Sequence, residues 1–188
     1  MGMRPKLPSF LLVTTPERKP DPTDLHPGSG VILRHYGHPN RLSMGQTLAH
    51  HARIKRVTLL VAADLGLAVR LRAGGIHLPE GMMTVPLAPI LGWARRNNRL
   101  ITAACHSRLA LNRARRLKVD AALLSPVFPT ASHPGAKILG LPHFASLCKK
   151  VPIPIYGLGG MRRKTAALTL RHTNAVGVAA TIPLKSKR

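Results

Sequence analysis

The segment Ser125-Pro126-Val127-Phe128-Pro129-Thr130-Ala131-Ser132-His133-Pro134-Gly135 sets two hydroxyls, Thr130 and Ser132, beside the imidazole of His133. Its three prolines forbid a continuing strand or helix, so the segment is a loop. Hydroxyl and backbone amide donors in such a loop can replace the water around phosphate oxygens. A rigid surface turn is the other reading. Further on, Gly157-Leu158-Gly159-Gly160 precedes Met161-Arg162-Arg163-Lys164, which opens a helix. Glycines there let backbone amides approach a phosphate, and the helix start offers unpaired donors with the positive end of its dipole. The alternative is a tight strand-to-helix turn without a ligand, its Arg and Lys facing solvent.

These segments need elements to hold them. Short apolar runs recur at Phe10 to Val13, Val31 to Leu33, Val57 to Ala63, Gly75 to Leu78, Leu100 to Ala104, Ala121 to Leu124, Ile153 to Tyr156 and Ala175 to Ala179. Runs rich in Val, Ile and Leu without polar alternation read as strands buried on both faces of a parallel sheet. Between them, Leu42 to Ile54, Ser107 to Leu117 and Arg162 to Leu170 carry apolar residues at helical spacing. Eight such units predict an α/β fold, a compact (β/α)8 TIM barrel formed by residues 1 to 188 as one domain. Pro16, Pro20, Pro22 and Pro27 exclude a regular first helix, and little chain follows the last run. The first and last helices are therefore expected to be reduced, with 185 to 188 a frayed basic tail.

In this fold the chemistry sits where strands end. That rule selects Thr14, Thr15, Arg34, His35, Asp64, Glu80, His106, the 125 to 133 loop, the 157 to 160 turn and Thr181. The chain has 188 residues, 29 Lys plus Arg against 6 Asp plus Glu, a net charge of +23 and only 3% aromatics. The excess favours anionic partners. Base-stacking aromatics and recognition motifs are lacking, so no specific nucleic acid is expected, and the charge is first of all a solvated face. No run of about twenty apolar residues and no signal-peptide core occurs, which predicts a cytoplasmic protein with no membrane contact and with Cys105 and Cys148 reduced. His50-His51 and His35-x-x-His38 match no zinc spacing. Oligomeric state is left open.

Four segments in order, Leu11-Leu12-Val13-Thr14, Gly75-Ile76-His77-Leu78-Pro79-Glu80, Ser125-Pro126-Val127-Phe128-Pro129-Thr130 and Gly157-Leu158-Gly159-Gly160-Met161, resemble the thiamine phosphate synthase superfamily. That superfamily also contains thiazole tautomerases. The resemblance implies a barrel that joins hydroxymethylpyrimidine diphosphate to hydroxyethylthiazole phosphate and releases diphosphate, with magnesium assisting departure. On this reading Arg34, Thr130, Ser132 and His133 cradle the diphosphate, while Gly159, Gly160 and Thr181 hold the thiazole phosphate.

The chain departs from the family pattern at several of its polar positions. A Gln-x-Arg-x-Lys stretch reads here Ile32-Leu33-Arg34-His35-Tyr36, an Asn-Asp pair falls on Ala62-Ala63, and a second metal-binding Asp falls on Met82. His133 stands for a Lys and Ala104 for a Ser. Asp64 and Glu80, at the ends of adjacent strands, could form a shifted magnesium site, because a hard cation accepts any carboxylate oxygen within reach. Alternatively Asp64 caps the next helix and Glu80 pairs with an arginine.

Three functions follow. The first is the synthase, a transferase acting on small phosphorylated heterocycles. The second is a tautomerase; there a catalytic His would replace Pro126, leaving His106 and His133 as possible proton carriers. The third is a non-catalytic barrel that keeps the phosphate site and has lost the metal site.

Overall fold

The computed structural model describes residues 5–15, 26–130 and 135–184. Eight strands, β1 (Phe10–Val13), β2 (Gly30–Leu33), β3 (Thr58–Ala62), β4 (Gly75–Leu78), β5 (Leu100–Cys105), β6 (Ala121–Leu124), β7 (Ile155–Gly157) and β8 (Gly177–Ala180), pair in parallel in chain order, and β8 closes on β1. Six α-helices are described: α1 (Arg41–Ile54), α2 (Leu65–Arg70), α3 (Ala88–Arg96), α4 (Arg108–Arg116), α5 (Leu141–Lys150) and α6 (Arg163–His172), with a 3-10 turn at Glu80–Thr84. The eight expected runs are the eight strands, and the fold is the (β/α)8 barrel.

Differences at the edges have local causes. The seventh strand starts at Ile155 rather than Ile153, because Pro152 and Pro154 have no N–H to give the ladder. The third stops at Ala62, since Ala63 turns left-handed at φ +61. Helices α2, α3 and α5 join the three expected ones. Two of them carry Pro in the first turn, Pro89 and Pro142, where the missing N–H has no intrahelical partner to lose. The expected reduced first helix and basic tail fall on 16–25 and 185–188, outside the described residues; 181–184 form no helix. No described helix is long and apolar enough to cross a membrane.

Strand alternation divides the core. Leu11, Ile32, Leu60, Leu100 and Leu123 point inward and fill the barrel. Their neighbours, such as Val31, Val61, Ile76, Ile101 and Leu124, point outward beneath the helices. Tyr156 closes the foot: its ring is fully buried and its hydroxyl donates to the Pro8 carbonyl. Facing it is Gly177, where a Cβ would stand 2.5 Å from the Tyr156 ring, so only glycine leaves room.

At that foot, α1 to α4 each turn into the next strand in the same way. Val57, Ala73, Arg99 and Val119 donate N–H five residues back, to Ala52, Ala68, Ala94 and Ala114. The preceding residues, Arg56, Arg72, Asn98 and Lys118, donate three back and sit at φ +50 to +54. This is the Schellman helix end, whose left-handed residue is usually glycine. A side chain there costs about 1–2 kcal/mol.

Candidate active site

The opposite end of the barrel, where strands end, holds a cavity of about 440 Å³. Val13, Ala104, Leu123, Leu158 and Ile182 give it apolar wall, and Arg34, His77, Glu80, His106, Thr130, Arg162 and Thr181 supply its polar groups. The structure thus brings the expected Arg34, His106, Thr130, Gly159, Gly160, Thr181 and Glu80 to one mouth. Ser132 and His133 lie outside the described residues. Asp64 is not among the lining residues.

Arg34 leaves the end of β2 on a braced backbone. Its N–H donates to Thr14 Oγ1 at 2.9 Å, and that hydroxyl donates to the Ile32 carbonyl at 3.1 Å. The ring of His35, buried to 1% exposure, packs its Nδ1 2.9 Å from the same hydroxyl. The guanidinium therefore extends from a fixed root, tying β1 to β2.

His77 is a cavity residue that strand-end reasoning passed over. It sits inside β4 between outward-facing Ile76 and Leu78, so alternation turns it into the barrel, and that alternation was the available signal. Nδ1 lies 2.9 Å from Thr102 Oγ1 on β5. Burial, helped by the nearby Arg34 cation, lowers its pKa to about 3, so the imidazole is neutral at any ordinary pH. A neutral ring with one nitrogen engaged suits an uncharged heterocycle better than a phosphate.

His106 follows β5. Its Nδ1 lies 3.0 Å from the Ser125 carbonyl and 3.2 Å from the Ser125 hydroxyl, so Ser125 fixes the ring's orientation. Its backbone N–H donates to Glu80 Oε2 at 2.7 Å. Glu80 thus joins the turn after β4 to the turn after β5, and its partner here is this amide rather than an arginine. Cys105, one residue earlier, points outward into the core, and burial with the Glu80 charge pushes its thiol up to about 12. Cys105 and His106 form no nucleophile and base.

The two loops identified by their composition interlock. Val127 and Phe128 donate N–H to the carbonyls of Leu158 and Gly159, at 2.9 and 3.2 Å. Gly159 and Gly160 take φ +92 and +63; a Cβ on Gly159 would lie 2.7 Å from Pro126, and one on Gly160 2.5 Å from the Pro129 carbonyl. These glycines therefore first of all let the 125–130 loop dock, and in doing so they shape the wall. Behind them α6 begins: Thr165 Oγ1 accepts the Arg162 N–H at 2.8 Å and lies 2.9 Å from the Gly160 carbonyl. Arg162, at the cap position, lines the cavity, which spacing alone had left open.

Magnesium, which the family resemblance implies, finds no matching donors. Asp64 caps α2, Oδ1 accepting the Leu67 N–H at 2.8 Å, while Oδ2 lies 3.2 Å from Arg41 Nη1. Arg41 also donates to the carbonyls of Ala62, at 2.5 Å, and Leu33, at 3.4 Å. A guanidinium therefore occupies the ends of β2 and β3, Ala62 and Ala63 carry no oxygen on their side chains, and Glu80 is held by His106. Among the described residues no three His, Cys, Asp or Glu side chains converge. Of the shared Asp64–Glu80 pair expected from sequence, Asp64 caps α2 and pairs with Arg41, and Glu80 accepts the His106 N–H.

A parallel eight-stranded barrel with a cationic, partly apolar cavity at its strand ends is the architecture of the (β/α)8 class, whose sites lie at that end. The family described as thiamine monophosphate synthase matches residues 29–183, and the chain belongs to that family. A thiamine-phosphate synthase of Thioalkalivibrio sulfidiphilus is 27% identical over 172 residues, 85% of this chain and 80% of its own. A protein of Aquifex aeolicus provisionally named thiamine-phosphate synthase 2 is 33% identical over 106 residues, 56% of this chain. The match spans 55% of that relative's length. A solved thiamine phosphate pyrophosphorylase from Pyrococcus furiosus superposes with a TM-score of 0.75 at 22% identity, covering 91% of this chain and 84% of its own, a likeness of fold.

Proposed function

We propose that this chain is a thiamine phosphate synthase-type transferase whose cavity takes a pyrimidine carrying a methylene diphosphate together with a thiazole carrying a phosphate. In the coupling, the bond from the methylene carbon to the diphosphate oxygen breaks with its electron pair leaving on oxygen. The thiazole nitrogen lone pair then forms the new carbon–nitrogen bond. The observation that carries the proposal is the joint lining of one cavity by Arg34 and Arg162, with Thr130 and Thr181 as hydroxyl donors, around a floor containing neutral His77.

Two guanidiniums oppose the charge developing on the departing oxygens, a stabilisation that gains strength where water is excluded. Val13, Leu123, Leu158 and Ile182 supply the apolar surface that excludes it. The α6 start, with Gly159 and Gly160, is the seat for the thiazole phosphate, and the hydroxyls of Thr130 and, from the sequence, Ser132 serve the diphosphate beside His133. His106, its Nδ1 engaged by Ser125, turns Nε2 toward the ligand.

A second reading, a barrel that binds the phosphorylated thiazole without turnover, is favoured by one observation: Asp64 is engaged by Arg41 and by its own helix. Incubation with both substrates and measurement of released diphosphate separates the two. Release that needs both substrates supports coupling. Thiazole phosphate binding with no release supports the second reading, turnover of a non-aromatic thiazole tautomer alone supports a tautomerase, and binding of neither substrate contradicts all three.

A further inference from the structure

The foot of the barrel, remote from the cavity, is built as a cationic arc. Helices run against the strands, so their last turns gather there, and each of the six described helices ends in a turn bearing Lys or Arg. None has an acid in its first turn. Pairing with the negative dipole ends accounts for those last-turn cations. It does not account for Arg56, Arg72 and Lys118, which lie beyond the helix ends in the left-handed position where glycine is easiest.

A long cation has been placed at three of four such turns. Those turns feed β3, β4, β5 and β6, neighbours in the sheet, so they form one continuous arc. Within it a recess of about 220 Å³ is lined by Arg53, Arg72 and Arg99, and Arg53 is steadied by donating to the Leu71 carbonyl at 3.3 Å. Asp120, two residues after Lys118, accepts the Ile101 N–H at 2.8 Å.

We propose that this arc binds the phosphodiester backbone of duplex nucleic acid without reading its sequence. Arginine forks match phosphate oxygens, and rigid turns hold them without a folding step on binding. The turns bring charge but no aromatic ring, which selects backbone contact over base stacking. An anionic lipid surface would want a cluster of apolar anchors, whereas the exposed Ile54 and Val69 lie on different helices, each next to a cation along the chain, Arg53 and Lys55 or Arg70.

Arg56→Gly, Arg72→Gly and Lys118→Gly combined remove three charges while easing the backbone, so the variant folds. Arg108→Ala, Arg163→Ala and Lys164→Ala, at helix starts on the other end, remove the same charge as a control. Fluorescence anisotropy with a 20-base-pair duplex over a salt series is expected to show about tenfold or greater loss in the first variant at moderate salt. Its slope of log affinity against log salt should fall by about 2–3, as three lost phosphate contacts require. The control should stay within about threefold of wild type. Equal losses in both variants, which net charge alone would produce, overturn the proposal, as does binding to phosphatidylserine vesicles with none to duplex.

Discussion

Arg41 Nη1 stands 3.2 Å from Asp64 Oδ2, at the strand-end rim where the family resemblance sets a metal-binding pair. The guanidinium side chain is 13% exposed and reaches the ends of both β2 and β3, so it fastens the rim together by its own hydrogen bonds. Cavity and rim are thereby separated: Asp64 caps α2 and pairs with Arg41, and Arg34 and Arg162 line the cavity.

Asp64→Ala is accordingly a stability variant. It removes a helix cap, about 1 kcal/mol, and strips a mostly buried guanidinium of its counter-charge. Chemical denaturation should show a loss of about 1–3 kcal/mol, while the affinity for hydroxyethylthiazole phosphate, with or without magnesium, changes less than about twofold. A large loss of magnesium-dependent binding with stability intact would restore the metal site.

His77 gives the protein an acid sensitivity of definite sign. Its folded pKa, about 3, lies below the unfolded value of 6.5, so between those limits the unfolded chain binds the extra proton. Stability therefore falls as pH drops through 6.5. From pH 7 to pH 5 the wild type should lose about 2 kcal/mol relative to His77→Gln, which lacks this titration. Parallel stability curves for the two proteins would show that His77 titrates normally.

Much of this was legible in the chain, and the rest had physical reasons to hide. Apolar runs without alternation report strands buried on both faces, which is why Gly75 to Leu78 and Ala121 to Leu124 were bounded correctly. Helices α3 and α5 were hidden by prolines that a helix tolerates only in its first turn. Most mouth residues follow from topology, since they come just after barrel strands, although Asp64, equally placed, turns away to cap α2. His77 is inside a strand, where only the alternation speaks for it. The role of Arg41 depends on β2 and β3 ending side by side, a distance that no spacing along the sequence encodes.

Gly160→Ala tests the interlocked loops. The left-handed backbone alone costs about 1–2 kcal/mol, and the new methyl would have to displace the Pro129 carbonyl or Phe128. Gly81→Ala, where a Cβ meets nothing within 4 Å, is the matched control. Denaturation midpoints and ligand affinity should both fall for Gly160→Ala and stay near wild type for Gly81→Ala. Equal behaviour would mean the loops dock more loosely than their hydrogen bonds state.

Arg34→Gln and Arg162→Gln should each weaken binding of a phosphorylated ligand by about 10–100-fold, the worth of a charge-assisted hydrogen bond of about 1.5–3 kcal/mol. Calorimetry at two salt concentrations checks this. Each variant should also be less sensitive to salt than the wild type, since one cation no longer takes part.

The seat of the phosphoryl group can be located by amide NMR during titration with hydroxyethylthiazole phosphate. Saturable shifts at Gly159, Gly160, Arg162 and Thr181, with Arg72 and Arg99 unmoved, are the expected result. Shifts confined to the foot of the barrel, or none anywhere at millimolar ligand, would contradict a strand-end site for a phosphorylated heterocycle.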